Sequence, residues 1–203
     1  PYPIATKRSL SVLQALASFA KFSREKKRMT LAGRVMAIRG QGALVFFNLR
    51  DGEAMIQGFL KRDEMDEKLF TLFQETIDVG DFIECSGVLF MTKRKERTMQ
   101  VKDWKILAKS LRPLPDKWNG LQDVEERFRK RYLDMLMSDE VRARFMLRSR
   151  VITEIRSFLN NADYLEVETP LLQSLAGGAL AEPFKTHHNA LDIDINLRIA
   201  PEK

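Results

Sequence analysis

Residues 44–51 read LVFFNLRD, and the alternation of side chains along this stretch decides the fold of the N-terminal half. Successive side chains of a strand point to opposite faces of the sheet. One face carries only apolar side chains, those of Val45, Phe47 and Leu49. The other face carries Leu44, Phe46, Asn48 and Arg50. The first set is therefore expected to line a core, and Phe46 to lie on the wetter side.

Strand-like runs surround this stretch on both sides. They are MTLAGRVMAIR (29–39), MIQGFL (55–60), DFIECSGVLFM (81–91) and TMQVKDWKIL (98–107). Asp51-Gly52 is a hairpin-turn dipeptide, and residues 93–97 form a charged hairpin. Residues 61–75 place apolar side chains at helical spacing. Five strands with a helix between the third and fourth predict the oligonucleotide-binding barrel, or OB-fold.

An aromatic side chain among hydrogen-bonding neighbours is how such barrels stack an unpaired base. Phe46 has Asn48 and Arg50 on its own face, and Arg39 and Gln57 lie on flanking strands. Stacking of this kind contributes about 1–3 kcal/mol per base. The alternative is that Phe46 covers one end of the barrel under a loop, and the residues leave both interpretations open.

Composition excludes several other classes of protein. The chain has 203 residues, of which 44% are hydrophobic and 31% charged, and this argues against disorder. Because no apolar run approaches the roughly 18–20 residues of a membrane span, no membrane association is expected. The opening PYPIATKRSL lacks the apolar core of a secretory leader, and the single cysteine, Cys85, fits a reducing compartment. A cytoplasmic location is therefore expected.

The positive charge is concentrated at the N-terminus. Residues 1–34 hold eight Lys and Arg against one acidic residue, whereas the whole chain nets +6. Residues 10–22 predict an amphipathic helix with an apolar face of Leu13, Leu16, Ala17 and Ala20. The basic run at residues 24–28 follows it, and it is either a solvated turn or a phosphate-binding stripe beside a nucleic-acid module.

The second half begins after a proline-containing connection, residues 110–120, with prolines at 113 and 115. A charged helical stretch follows at 121–135. Ser138 is then expected to cap a longer helix that ends at Asn160-Asn161. Its predicted apolar stripe is Val141, Phe145, Ile152, Ile155 and Leu159. Residues 164–169, YLEVET, predict a strand that leads into Pro170.

Two further features of the C-terminal part could carry chemistry. Gly177-Gly178 would let the backbone approach a ligand, although a plain turn is the commoner role of such a pair. His187-His188 lies near Asp192 and Asp194, but adjacent histidines splay apart in an extended chain. No metal site is therefore expected.

Three segments in this order and spacing resemble a class II lysyl-tRNA synthetase. They are LRPLPDKWNGLQDVEERFRKRYLDM, FLNNADYLEVETPLL and GGALAEPFKTHHNALDIDINLRIAPE. The resemblance runs from about residue 30 to 202. It implies an α+β chain: an N-terminal helix and basic run (1–28), an OB-fold anticodon-binding barrel (29–109), a linker (110–120), and the start of an antiparallel α/β catalytic domain (121–203).

The resemblance also implies roles for individual residues. Phe46 matches the aromatic residue that stacks an anticodon base, and Arg39, Gln57 and Glu96 match anticodon-contacting positions. Gly178 and Glu202 match the lysine-binding glycine and glutamate. The unit that ends at Pro170 resembles the first class II motif, which builds the homodimer interface in that family. No catalytic residue is assigned in this chain.

The implied activity is that of a lysine–tRNA ligase acting on lysine, ATP and tRNA(Lys), with Mg²⁺. Lysine attacks the ATP α-phosphate to give lysyl-adenylate, and the tRNA 3′ end then takes the lysyl group. The second and third motifs would follow the APE triplet at 200–202, so these 203 residues alone are expected not to form lysyl-adenylate. The sequence departs from the family pattern at Ala176, Lys203 and residues 161–164.

Two alternatives to the lysine enzyme stay open. One is a non-catalytic RNA-binding protein that kept the barrel, which the missing motifs would fit. The other is an aspartate- or asparagine-type class II synthetase, which shares the barrel and the first motif.

Overall fold

Five strands close into a barrel in the order β1-β2-β3-β5-β4. The strands are β1 (Met29–Gln41), β2 (Leu44–Arg50), β3 (Met55–Lys61), β4 (Phe82–Met91) and β5 (Arg97–Ala108). β3 and β5 run parallel, and the other neighbouring strands are antiparallel. The computed structural model describes residues 2–3, 5–52, 54–115, 120–178 and 180–200. The predicted strands are confirmed, with ends that shift by at most two residues.

The barrel core follows from the alternation along β2. Val45, Phe47 and Leu49 are at most 2% exposed, whereas the residues between them are partly exposed. The predicted core face is therefore confirmed. Helix α3 (Glu67–Thr76) follows a 3-10 turn at Arg62–Glu64 and buries Phe70 and Phe73 in the same core.

Aromatic contacts and a hydrogen bond from Trp104 hold α3 against the barrel. The Phe73 ring lies 5.4 Å from that of Phe47 and 5.1 Å from that of Trp104, the latter edge to face. The indole Nε1 of Trp104 donates to the carbonyl of Leu69 at 3.1 Å. Cys85 on β4 is fully buried in this core, and burial raises the pKa of its thiol.

Two short helices, α1 (Val12–Ala17) and α2 (Phe19–Arg24), replace the single predicted N-terminal helix. Of the predicted apolar face only Leu16 packs against the core, and the prediction was wrong for the other three residues: the buried side chains are those of Val12, Ala15 and Phe19, and Leu13 is 49% exposed. The Val12 amide donates to Asp51 Oδ2 at 2.6 Å, which fixes the rotation of α1 against the β2–β3 turn. That contact spans 39 residues of sequence, so helical periodicity alone could not select the face.

The chain divides into two compact units, Pro1–Met137 and Ser138–Lys203. The first contains the barrel and helices α4 (Val124–Arg129) and α5 (Arg131–Met137). Asp134 is buried on α5 and pairs with Arg127 at 3.1 Å and with Arg131 at 2.7 Å.

The second unit begins with α6 (Asp139–Asn161). The Ser138 hydroxyl accepts a hydrogen bond from the Val141 amide, so the predicted cap is confirmed, as is the end of the helix. A sheet in the order β6-β8-β7 follows, with β6 (Leu172–Gln173), β7 (Lys185–His188) and β8 (Ile193–Leu197).

The strand predicted at residues 164–169 was wrong. These residues form no ladder with another described segment, and the first strand after α6 is the short β6. A segment of strand-like composition becomes a strand only where a neighbouring strand satisfies its backbone groups. Among the described residues, no helix combines the length and apolar character needed to cross a bilayer.

Candidate nucleic-acid interface

Three phenylalanine rings form an aromatic row on the outer face of the barrel. Phe46 on β2 and Phe59 on β3 are register partners with ring centroids 4.8 Å apart. Phe59 in turn lies 5.8 Å from Phe90 on β4. All three rings are partly exposed and lie outside the hydrophobic core cluster. The predicted position of Phe46 on the wetter face is therefore confirmed.

Arg39 lies directly beside the aromatic row. Its Cα is the register partner of Phe46 across the β1–β2 ladder, and the residue is exposed. The fold thus brings a cation next to the ring that was predicted to stack a base. Arg50 was predicted on the same face, but its Nη1 donates to the Leu136 carbonyl of α5 at 3.3 Å. That contact directs Arg50 toward α5.

A hydrogen-bonded group of Gln57, Glu96 and Thr98, the amide network, lies on the same outer face. Gln57 Nε2 donates to Glu96 Oε2 at 2.8 Å, and Thr98 Oγ1 donates to Gln57 Oε1 at 2.8 Å. Gln57 and Thr98 are register partners across the parallel β3–β5 pairing, and Asn48 pairs with Gln57 from the β2 side. Two predicted residues, Gln57 and Glu96, are therefore in direct contact.

The β4–β5 hairpin holds Glu96 in place. The Thr92 amide donates to the Glu96 carbonyl, and the Glu96 amide donates to Thr92 Oγ1, both at 3.0 Å. Lys95 closes the turn with φ of 61°, in the left-handed region. With its backbone fixed at both ends, the exposed Glu96 carboxylate keeps its position beside Gln57.

A fixed glutamate is also connected to the strand that pairs with Phe59. Glu64 accepts hydrogen bonds from Gln100 and from Lys102, the latter at 2.6 Å. Gln100 is the register partner of Phe59. The hydrogen bond from Lys102 is the main cause of the lowered pKa of Glu64, which therefore stays ionised at neutral pH.

A basic strip borders the amide network at the hairpin end of the barrel. It comprises exposed cations on and after α2 and at the hairpin tip: Lys21, Arg24, Lys26, Lys27, Arg28, Lys93, Arg94 and Lys95. Arg97, at the start of β5, contacts both N-terminal helices: its Nη1 donates to the Leu16 carbonyl at 3.4 Å and its guanidinium lies 5.7 Å from the Phe19 ring. Among the described residues, none of the eight has a carboxylate partner.

Several lysines elsewhere on the barrel, unlike those of the basic strip, are paired with carboxylates. On the barrel, Lys61, Lys102, Lys105 and Lys109 all contact carboxylates. A cation without an acidic neighbour keeps its charge available to an incoming phosphate. The outer face thus combines stackable rings, a fixed amide–carboxylate pair and a border of available positive charge. That combination suits single-stranded nucleic acid.

Sequence reasoning missed Thr98, Phe59 and Phe90. Alternation along β3 and β4 could have identified both rings, because each lies next to a buried core position, Leu60 or Leu89. Thr98 gave no such signal, since its partner belongs to another strand and the parallel pairing was not predicted.

Of the two predicted lysine-binding residues, only Gly178 lies in the part of the chain that the structure describes. Gly178 is exposed and has φ of 99°, a conformation that glycine adopts without strain. Glu202 lies outside the described residues. Pro170, the predicted dimer-motif residue, is exposed.

The histidine pair lies on an exposed hairpin of the second unit. His187 Nδ1 contacts Asp194 Oδ1 at 2.9 Å, and His187 Nε2 lies 3.3 Å from Asp192 Oδ1. His188 Nδ1 accepts a hydrogen bond from the Leu191 amide instead. Within the described part of the chain, no group of three His, Cys, Asp or Glu side chains could hold a metal ion.

Comparisons with known proteins agree with this geometry. Residues 29–107 match the model of the OB-fold nucleic acid binding domain, and residues 123–203 match that of the class II tRNA synthetases (D, K and N). The lysine–tRNA ligase of Dehalococcoides mccartyi is 45% identical over the whole chain. Those of Carboxydothermus hydrogenoformans and Aquifex aeolicus are 49% and 47% identical over 87% and 86% of it.

The chain covers only part of these relatives, 41%, 36% and 29% of their respective lengths. The two matched regions correspond to the barrel and to the part of the chain that begins at α4. The chain belongs to the class II lysyl-tRNA synthetase family, of which it contains the OB-fold domain and the first part of the catalytic domain.

Proposed function

We propose that the outer face of the barrel recognises the anticodon of tRNA(Lys). The observation that carries the proposal is the alignment of Arg39, Phe46 and Phe59 in one row beside the Gln57–Glu96 pair. A base that stacks on Phe46 would present its Watson–Crick edge to neighbouring hydrogen-bonding groups. Stacking supplies affinity for any base, and edge contacts supply the choice of base.

The basic strip is proposed to bind backbone phosphates of the same RNA. Its eight cations lack carboxylate partners among the described residues, and Arg97 connects β5 to the N-terminal helices beside them. Phosphate contacts position the RNA without reading its sequence. The phosphate-binding interpretation of residues 24–28 is therefore the one that we favour over a solvated turn.

The activity proposed for the whole protein is ATP-dependent ligation of lysine to tRNA(Lys) in the cytoplasm. Relatives that are 45–49% identical to this chain bear the name lysine–tRNA ligase. Residues 29–109 would be the RNA-binding domain, 110–120 the linker, and 121–203 the start of the catalytic domain. Gly178 and Glu202 would contact the substrate lysine, Glu202 through its carboxylate to the ammonium group.

The proposed activity uses ATP and Mg²⁺, but we assign no residue of this chain to binding either of them. The described residues offer no group of three ligands for a metal ion. We propose that the groups that bind ATP and Mg²⁺ belong to the second and third class II motifs, as the family resemblance implies.

A homodimer is proposed through α6 and the segment that follows it. The predicted apolar stripe of α6 is mostly exposed: only Val141 is buried, and Ile155 is 54% exposed. Phe158 and Leu165 are exposed by 72% and 84%. Ile152, Ile155, Leu159, Tyr164 and Leu165 line part of an open groove of 360 Å³. Apolar exposure on this scale is typical of a protein–protein interface. Sedimentation of the chain tests the proposal, and a dimer is the expected result.

Two assays separate the proposed function from its alternatives. The chain should bind a lysine anticodon stem-loop more tightly than a stem-loop with the same stem and an aspartate or asparagine anticodon. Equal affinities would contradict anticodon recognition.

The whole protein should show lysine-dependent pyrophosphate exchange. Specific RNA binding without exchange would instead support the non-catalytic alternative.

A further inference from the structure

We propose that Thr98 is a positioning residue that fixes the Gln57 amide so that Gln57 and Glu96 together select uracil over cytosine. The proposal rests on anticodon recognition by the outer face and adds the chemistry of base choice. It starts from Thr98, a fully buried polar side chain that donates a hydrogen bond to the side chain of Gln57.

The network determines which way the Gln57 amide points. Thr98 Oγ1 donates to Gln57 Oε1 at 2.8 Å, and its other acceptor, the Glu96 carbonyl, is 3.3 Å away. Gln57 Nε2 faces Glu96 Oε2 at 2.8 Å. If the amide were flipped, its carbonyl oxygen would face a carboxylate oxygen at that distance, and two acceptors would repel. Both neighbours therefore select the same orientation.

This orientation leaves a defined pair of groups for a ligand. Nε2 of Gln57 has two N–H donors, and Glu96 uses only one of them. The exposed Glu96 carboxylate has Oε1 as a further acceptor. A base edge beside the pair therefore meets one N–H donor next to one carboxylate acceptor.

Uracil and cytosine differ at the groups that such a pair would contact. Uracil carries an N–H donor at N3 between two carbonyl acceptors, whereas cytosine has an acceptor at N3 and an amine at C4. Stacking holds the base in one register. A carboxylate opposite N3 then accepts a hydrogen bond from the N3–H of uracil, whereas it repels the N3 lone pair of cytosine. If the Gln57 amide rotated freely, its carbonyl would face the base part of the time. The preference for uracil over cytosine would then be smaller.

Thr98 variants test the proposal by measuring base preference. The chain would be titrated with a lysine anticodon stem-loop and with loops in which single uracils are replaced by cytosine. Thr98→Val keeps the shape of the side chain but removes the hydroxyl. It should lower the uracil-to-cytosine affinity ratio at one position by about three- to tenfold, and Thr98→Ser should restore it to within about twofold.

The outcomes separate this proposal from the function on which it rests. If the parent chain prefers uracil and Thr98→Val keeps the full ratio, Thr98 does not position Gln57 and the proposal is wrong. If the parent chain shows no preference for the lysine anticodon, the proposed function itself fails. Should Thr98→Val not fold, Glu96→Gln on the exposed hairpin replaces it. That variant should also lose the uracil preference, and an unchanged ratio would overturn the proposal.

Discussion

The ring of Phe47 lies against the backbone of Gly58, its register partner on β3. A Cβ added at Gly58 would lie 2.1 Å from the Phe47 Cζ atom, and Phe47 is 2% exposed. The ring cannot move toward solvent without opening the core, so a side chain at position 58 must distort the barrel.

Gly58→Ala should therefore destabilise the chain by about 1–3 kcal/mol, the usual cost of overpacking a core. The measurement is the free energy of unfolding from urea titration. Gly40→Ala is the matched control, because its added Cβ would meet only Gln74 Nε2, at 3.9 Å. Equal stability of Gly58→Ala and the parent would mean that the ring and the strand do not pack this closely.

Two buried carboxylates predict a loss of stability in acid. Burial by itself raises the pKa of Asp81, but hydrogen bonds from the Asp78 and Ser110 amides and from Lys109 outweigh it. Burial likewise raises the pKa of Glu84, and hydrogen bonds from Thr6, the Lys7 amide and Lys105 outweigh it. Both pKa values therefore lie below their ordinary values of 3.8 and 4.5.

Because these pKa values are lower in the folded state, the unfolded chain takes up protons first as the pH falls. The stabilisation is fully present above about pH 5 and decreases from there through the folded-state pKa values. The urea midpoint should stay constant between pH 6 and 5 and fall from pH 5 to 3. Asp81→Asn should be less stable at pH 7 and show a shallower decrease. A parent midpoint that does not change with pH would contradict the assigned hydrogen bonds.

The basic strip predicts a change in the salt dependence of RNA binding. Lys26→Gln/Lys27→Gln and Lys93→Gln/Lys95→Gln should weaken binding of all stem-loops alike. The slope of log affinity against log salt should fall by about 0.7–0.9 for each phosphate contact removed. Lys68→Gln, an exposed lysine of α3 that lacks a carboxylate partner among the described residues, is the control. Slopes that match the control would exclude phosphate contact by the strip.

The parts of the fold that the sequence predicted depend on local pattern, and the parts it did not predict depend on distant partners. The alternation of residues 44–51 placed Val45 inside and Phe46 outside, because a single strand determines its own two faces. The face of α1 was mispredicted because Asp51, far along the chain, holds its first turn.

The candidate site shows the same limit. Family resemblance identified Gln57 and Glu96, but Thr98 was missed because its hydrogen bond depends on which strand pairs with β3. Residues 164–169 have strand composition and still form no ladder among the described residues. Composition indicates that a segment can form a strand, but the strand forms only where another strand is present to pair with it.

The central claim is that Phe46 is the platform for an anticodon base. The most direct measurement is the affinity of Phe46→Ala for a lysine anticodon stem-loop, beside Phe82→Ala as the control. Phe82 is also a partly exposed ring of the barrel, 38% exposed, but the Arg34 guanidinium lies 4.2 Å from its centroid. We expect Phe46→Ala to bind about 5- to 100-fold more weakly, as loss of one stacked base requires, and Phe82→Ala to bind as the parent does. Parent-like affinity of a folded Phe46→Ala would contradict the claim.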